Sequence, residues 1–179
     1  RGFTVFAKTV KPDQLIRALA EYQSLMVPII QKHGGSIDKF MGDGIMATFG
    51  AAIASSTYAV DALEAVDEIM KAAVDWNLAR VAAGFPELRV GAACAAGPII
   101  FGAVGDATRL EDTVIGDAVN LAAKLEKQTK AEQVRALTDA VTYDIALDQG
   151  YLLNNGQERR SARAIEGVEA PMDLVVMAA

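Results

Sequence analysis

The stretch Asp38-Lys39-Phe40-Met41-Gly42-Asp43-Gly44-Ile45-Met46-Ala47-Thr48-Phe49 constrains the fold more than any other part of the chain. It reads as a β-hairpin of two short apolar-rich strands joined at Gly42-Asp43-Gly44, because glycine and aspartate tolerate the positive φ angles of a tight turn. The tip therefore presents a carboxylate. Along an undisturbed strand, period-2 alternation puts Lys39 and Asp43 on the same side. A cation and an anion near one rigid tip suit a nucleotide, one reading a base and the other holding a metal. Gly-Asp-Gly also occurs in ordinary turns, so these residues alone leave a purely structural hairpin open.

Two long helical patterns flank the hairpin. The first starts at Pro12, a residue suited to a first helical turn, and carries Leu15, Ile16, Leu19, Tyr22, Leu25, Met26, Ile29 and Ile30 as one apolar stripe. Gly34-Gly35 stops it, and Pro28 inside it is expected to kink it. The second runs from about Ser55 to Ala82, with Trp76 read as a packing residue. Strands are expected at Leu88 to Ala95, Ile99 to Val104, Val134 to Leu137, Tyr151 to Leu153, Ala162 to Ile165 and Met172 to Val176. A helix is expected from about Asp139 to Leu147, and a turn at Asn154-Asn155-Gly156. This order of elements implies an α+β sandwich, a mixed sheet covered by helices.

Length and charge narrow the function. A chain of 179 residues holds one domain with a sizeable core. Its net charge of −6 argues against nucleic acid as the main partner, since neutralising phosphates needs a basic face. The single cysteine, Cys94, lies in an apolar run and reads as a small core residue on a strand, which fits a cytoplasmic setting. His33, the single histidine, precedes Gly34-Gly35 at a helix end, where the helix dipole favours a cation. Residues 90–105 carry no formal charge, but Gly97-Pro98 breaks the run and it is shorter than the ~20 residues of a membrane helix.

A second stretch settles the direction. Glu111-Asp112-Thr113-Val114-Ile115-Gly116-Asp117-Ala118-Val119-Asn120 reads as a strand ending near Ile115, followed by a helix opening around Gly116-Asp117. Together with Arg1-Gly2-Phe3-Thr4 and Lys39-Phe40-Met41-Gly42-Asp43, it resembles the catalytic domain of class III nucleotidyl cyclases, the adenylate and guanylate cyclases. The three motifs stand in the family's order and spacing, and the resemblance covers nearly the whole chain. It implies a ferredoxin-like, palm-type βαβ core with C-terminal αβ additions, all of 1–179 forming a single catalytic domain. It also implies that a first strand is missing, together with a first metal-binding Asp that should lie two residues before Arg1.

The resemblance further implies a reaction and its residues. In this family the ribose 3′-hydroxyl attacks the α-phosphate of the same nucleotide and expels pyrophosphate, assisted by two divalent cations, Mg²⁺ or Mn²⁺. Asp43 occupies the position of a metal ligand. Lys39 and Thr113 occupy the purine-reading pair, and threonine there is similar to the class IIIb adenylate cyclases, which makes ATP the expected substrate. Guanylate cyclases carry Glu and Cys at these two places. Phe3 and Thr4 are expected to line the substrate site. Asn120 matches the asparagine that orients the ribose, and Lys124 stands where the family has an arginine that stabilises the transferring phosphate. A further family lysine aligns with Glu166, with Arg160 or Arg163 as the candidates to replace it. These two departures keep a weak or inactive nucleotide-binding regulatory domain open as the alternative. The family also implies a homodimer with sites shared between protomers, serving as the output module of an upstream sensor domain. A third possibility, a diguanylate cyclase, would need that family's Gly-Gly-Asp/Glu-Glu-Phe signature, which His33-Gly34-Gly35-Ser36-Ile37 does not supply.

Overall fold

The computed structural model describes residues 3–106, 110–152 and 157–179, without the side chains of Thr4, Val5, Leu110, Glu111 and Asp112. The chain begins with α1 (Phe3–Thr9) and α2 (Pro12–Lys32), followed by β1 (Ser36–Met41) and β2 (Gly44–Thr48). After α3 (Tyr58–Ala82) come β3 (Ala92–Cys94), β4 (Ile100–Gly105) and β5 (Leu110–Ile115). The remainder is α4 (Asp117–Ala131), β6 (Ala136–Asp139), α5 (Ala140–Asp148), β7 (Arg159–Arg163) and β8 (Met172–Ala178). The fold is α+β, with a mixed sheet covered by helices.

That sheet has the order β3-β6-β8-β7. β3 runs parallel to β6, whereas β8 runs antiparallel to both β6 and β7. Alternation along β8 builds the core on both faces. Leu174 and Val176 pack with Leu125 of α4, and Val175 and Met177 pack with Leu63, Val66 and Met70 of α3 and Ala146 of α5. β8 is thus the central wall of the sandwich. Two antiparallel ribbons, β1–β2 and β4–β5, stand apart from this sheet.

Local chemistry explains the helix boundaries. Pro12 opens α2, and the Gln14 side chain accepts a hydrogen bond from the Lys11 N–H at 3.2 Å. The helix ends where expected, with His33 as its C-cap and its Nε2 2.8 Å from Glu68 Oε2 on α3. Asp139 caps α5 by accepting from the Thr142 N–H at 3.0 Å. Thr142 Oγ1 in turn accepts from the Ala96 N–H at 2.7 Å, which ties α5 to the end of β3.

Several expectations needed correction. The strand expected over Leu88–Ala95 is confined to Ala92–Cys94, the residues that find a partner in β6. Leu88 instead turns inward beside Phe6 and Ala18, and its backbone bonds to the Asn77 amide. The strand expected over Ala162–Ile165 lies earlier, at Arg159–Arg163, where β8 offers its register. Tyr151 and Leu152 are not in a strand, and Leu153 with the expected turn at Asn154-Asn155-Gly156 lies outside the described residues. Trp76 packs against Tyr22 at 6.1 Å between ring centroids, and Cys94 sits on β3 against the core. Burial pushes the Cys94 thiol up to about 12, with Asp139 and Asp67 adding to the shift.

Candidate active site

The site grows from the two ribbons and from α4. In β1, Ile37 pairs with Ala47 and Lys39 with Met46, so Asp38 is an extra residue, a β-bulge. The bulge breaks strict alternation and brings the side chains of neighbours Asp38 and Lys39 together, with Nζ 3.3 Å from Asp38 Oδ2. Lys39 Nζ also donates to Thr113 Oγ1 on β5 at 2.7 Å. The two positions expected to read a purine, 74 residues apart, therefore meet within one chain. Thr113 is half-buried, and its neighbour Val114 is buried.

Asp43 sits in the turn between β1 and β2, exposed, after Gly42 at a φ of +64°. The ladder ends at the pair Met41 and Gly44, so Asp43 lies in the turn and not on the strand face that carries Lys39. A non-glycine residue at 42 would be strained there. Asp43 is near enough to Tyr22 to act on it. Burial pushes the Tyr22 hydroxyl up to about 12, with the charges of Asp43 and Glu126 adding to the rise. Asp43, Phe3, Asn120 and Tyr22 line one groove of about 860 Å³, whose walls include Ile45–Thr48 of β2 and Ala92–Cys94 of β3. Lys39, Thr113 and Lys124 are not among its lining residues. Arg1, Gly2 and the Thr4 side chain lie outside the described residues.

α4 carries the remaining two positions. It follows β5 through Gly116, where a Cβ would come within 2.7 Å of the Pro98 carbonyl oxygen and 3.1 Å of Ile99 Cα. This close approach, which requires glycine, fixes the start of the helix against the β3–β4 connection. Asn120 is exposed in the first turn. Lys124 follows one turn later on the same face, and its Nζ donates to the carbonyl oxygen of Gly167. Glu166, beside it, is exposed.

Both arginines considered as replacements for the missing C-terminal lysine are engaged with one carboxylate. Arg160 Nη1 and Arg163 Nε each lie 3.0 Å from a carboxylate oxygen of Glu132, whose side chain is 1% exposed. Burial opposes ionisation of Glu132. Hydrogen bonds from Arg163, Gln128 and Arg160 outweigh it and hold the carboxyl below its ordinary range. This clamp, which joins the C-terminus of α4 to β7, was missed in the sequence, where no local signal links residues 28 and 31 positions apart.

Comparison with known proteins places these features in a family. The adenylate and guanylate cyclase catalytic domain matches residues 1–166. The chain belongs to that family. An adenylate cyclase of Anabaena cylindrica is 31% identical over 86% of this chain and 30% of its own length. Adenylate cyclase 1 of Rhizobium meliloti is 34% identical over 72% of this chain and 19% of its own length. The chain thus spans less than a third of the length of these curated relatives. Among solved structures, the guanylyl cyclase Cya2 superposes with a TM-score of 0.82 at 27% identity, covering 98% of this chain and 86% of the other. The adenylyl cyclase CyaB of P. aeruginosa gives a TM-score of 0.80 at 28% identity, covering 98% and 88%.

The cyclase family uses divalent metals. Among the described residues, no group of three or more ligating side chains stands together. Asp43 is a hard oxygen donor that suits Mg²⁺ or Mn²⁺, but one carboxylate does not enclose an ion. No described helix is long and apolar enough to cross a membrane.

Proposed function

We propose that this chain is the catalytic domain of an adenylate cyclase, converting ATP to 3′,5′-cyclic AMP and pyrophosphate. The O3′–Pα bond forms, the bond from Pα to the pyrophosphate oxygen breaks, and the 3′-hydroxyl gives up its proton. The observation that carries this reading is the 2.7 Å contact of Lys39 Nζ with Thr113 Oγ1. A lysine donor beside a hydroxyl acceptor matches adenine, whose ring N1 accepts while its exocyclic amine donates. Guanine presents the opposite pattern at these two positions. The relatives named adenylate cyclase support the same choice.

Asn120 orients the ribose, and Lys124 neutralises charge on the transferring phosphate. Phe3 and Thr4 line the substrate site. Asp43 would supply one carboxylate to the divalent pair. Divalent ions held there would supply charge neutralisation at the phosphates and activation of the attacking oxygen. The groove between the edges of β2 and β3 supports an additional strand there. Among the described residues, β2 pairs only with β1 and β3 only with β6. On this reading 1–179 is a single catalytic domain lacking its first strand.

The domain acts as a homodimer with two sites at the interface, Asp43 of one protomer facing Lys39 and Thr113 of the other. Exposed apolar side chains flank the Lys39–Thr113 pair on both ribbons, Phe40 and Met41 on β1 and Ile100, Phe101, Val104 and Ile115 on β4 and β5. Such a patch marks a contact surface. An upstream sensor domain sets its activity.

A second reading, a catalytically weak regulatory domain, is favoured by Lys124. Its ammonium is held by the Gly167 carbonyl, and lysine lacks the planar fork with which arginine grips two phosphate oxygens. The deciding experiment measures cyclic AMP from ATP and Mn²⁺ in the full natural chain, with Asp43→Ala as control. Product that disappears in the control supports the cyclase. No product at high concentration of confirmed dimer supports the regulatory domain.

A further inference from the structure

We propose that Asp38 is a positioning residue for base recognition, its buried carboxylate holding the Lys39 ammonium against Thr113 so that one N–H remains for the purine. The inference rests on the reading of Lys39 and Thr113 as the base-recognising pair. It adds to that pair a third group, one that acts through the lysine.

Three features of β1 converge on it. Asp38 is the bulged residue, so its side chain leaves the alternation of the ladder and lies beside that of Lys39. The Asp38 side chain is 2% exposed, whereas that of Lys39 is 39% exposed. Asp38 Oδ2 is fully buried without a hydrogen-bond partner, and 3.3 Å away stands Lys39 Nζ. A buried carboxylate oxygen without a hydrogen bond is costly and calls for an explanation. Restraint of the neighbouring ammonium supplies one.

The donor inventory makes the role specific. An ammonium has three N–H groups and no acceptor. One is taken by Thr113 Oγ1, while Asp38 Oδ2 stands 3.3 Å from the nitrogen as an ion-pair contact without a hydrogen bond. An N–H is thus left for a ligand acceptor, such as the ring N1 of adenine. Lysine is a compact charge on a flexible four-carbon stem, and at its present exposure it has room to swing into solvent. With the carboxylate removed, Nζ no longer has a fixed direction, and a mobile donor also reaches O6 of guanine. Loss of Asp38 therefore weakens discrimination between the bases more than it weakens nucleotide binding as a whole.

The test is a double-mutant cycle of Asp38→Asn and Lys39→Met in the full natural chain. Binding is followed by calorimetry with 3′-deoxy-ATP and 3′-deoxy-GTP, which lack the attacking hydroxyl and cannot cyclise. Asp38→Asn is expected to raise the Kd for the adenine analogue about tenfold, equivalent to about 1.4 kcal/mol, and that for the guanine analogue less than twofold. In turnover KM for ATP rises by the same factor, while kcat stays within about twofold, because the base is remote from the reacting phosphorus. In the Lys39→Met background Asp38→Asn should have no further effect. The Kd ratio is taken on a single sample, so partial unfolding cancels from it, and Asp38→Ser is measured alongside. An unchanged ratio in the Asp38→Asn and Asp38→Ser proteins, with Lys39→Met sensitive, overturns the role of Asp38 alone. An Asp38→Asn effect of equal size in the native and Lys39→Met backgrounds does the same. A ratio unaffected by Lys39→Met overturns the reading of the base pair itself.

Discussion

Lys39 and Lys124 are both held by oxygen acceptors within the chain, yet their settings differ in kind. Lys39 donates to a side-chain hydroxyl, Thr113, with a buried carboxylate 3.3 Å away, on two ribbons that can present it to a flat ring. Lys124 projects from one turn of α4 and donates to a backbone carbonyl in the loop before β8. On the proposed roles, the base end is assembled from groups that hold one another, whereas the phosphate end offers an exposed Asp43 and a lysine held by a backbone carbonyl. On that reading recognition and chemistry are separable, and substitutions should show it.

The largest expected effect is at the phosphate end. Asp43→Ala should lower cyclic AMP formation by about 10³-fold or more, with nucleotide base preference unchanged, as read by turnover with Mn²⁺-ATP. An active Asp43→Ala protein would break the comparison. Lys39→Ala should lose most of its activity at ATP concentrations below its raised KM, and mixing the two proteins there should restore activity by forming one intact site per heterodimer. Heterodimers without restored activity would mean that Lys39 and Asp43 of one protomer serve the same site.

Lys124→Arg sharpens the comparison from the other side. The guanidinium can keep a bond to Gly167 and still present a fork to phosphate, so kcat should rise by about tenfold, with KM for ATP nearly constant. No gain would mean that the lysine is fully competent.

The smallest effect is on stability. Glu132→Gln leaves Arg163 without its carboxylate and Arg160 with Glu158 alone, and should cost about 1–3 kcal/mol at pH 7 by urea unfolding. Because the folded-state pKa of Glu132 is depressed, its contribution is fully present above the ordinary carboxyl range, about 4.3. It is lost as pH falls through the folded value, so the two proteins should converge in acid. A constant difference across that range would show that the clamp is not ionic.

Much of this was legible in the sequence, for reasons tied to particular residues. Lys39 and Thr113 each stand three positions before a glycine with a backbone duty, the turn at Gly42 and the close approach at Gly116. Their motifs therefore carried geometry along with identity. The hairpin and the two long helices were equally readable, because turn residues and apolar periodicity act locally. The bulge at Asp38 was not, since it exists only in the register with β2. The apolar run from Leu88 looked like a longer strand because hydrophobicity reports burial, while strand length depends on the partner that β6 provides. Arg160 and Arg163 looked free for phosphate because their partner Glu132 is remote in the chain.

The β1–β2 and β4–β5 ribbons belong to separate sheets, and the Lys39–Thr113 hydrogen bond bridges them. A displacement of either ribbon by about 1 Å along the contact stretches it beyond hydrogen-bonding range. On the proposed reading, a small twist at either ribbon thus opens or closes base recognition without moving the rest of the fold.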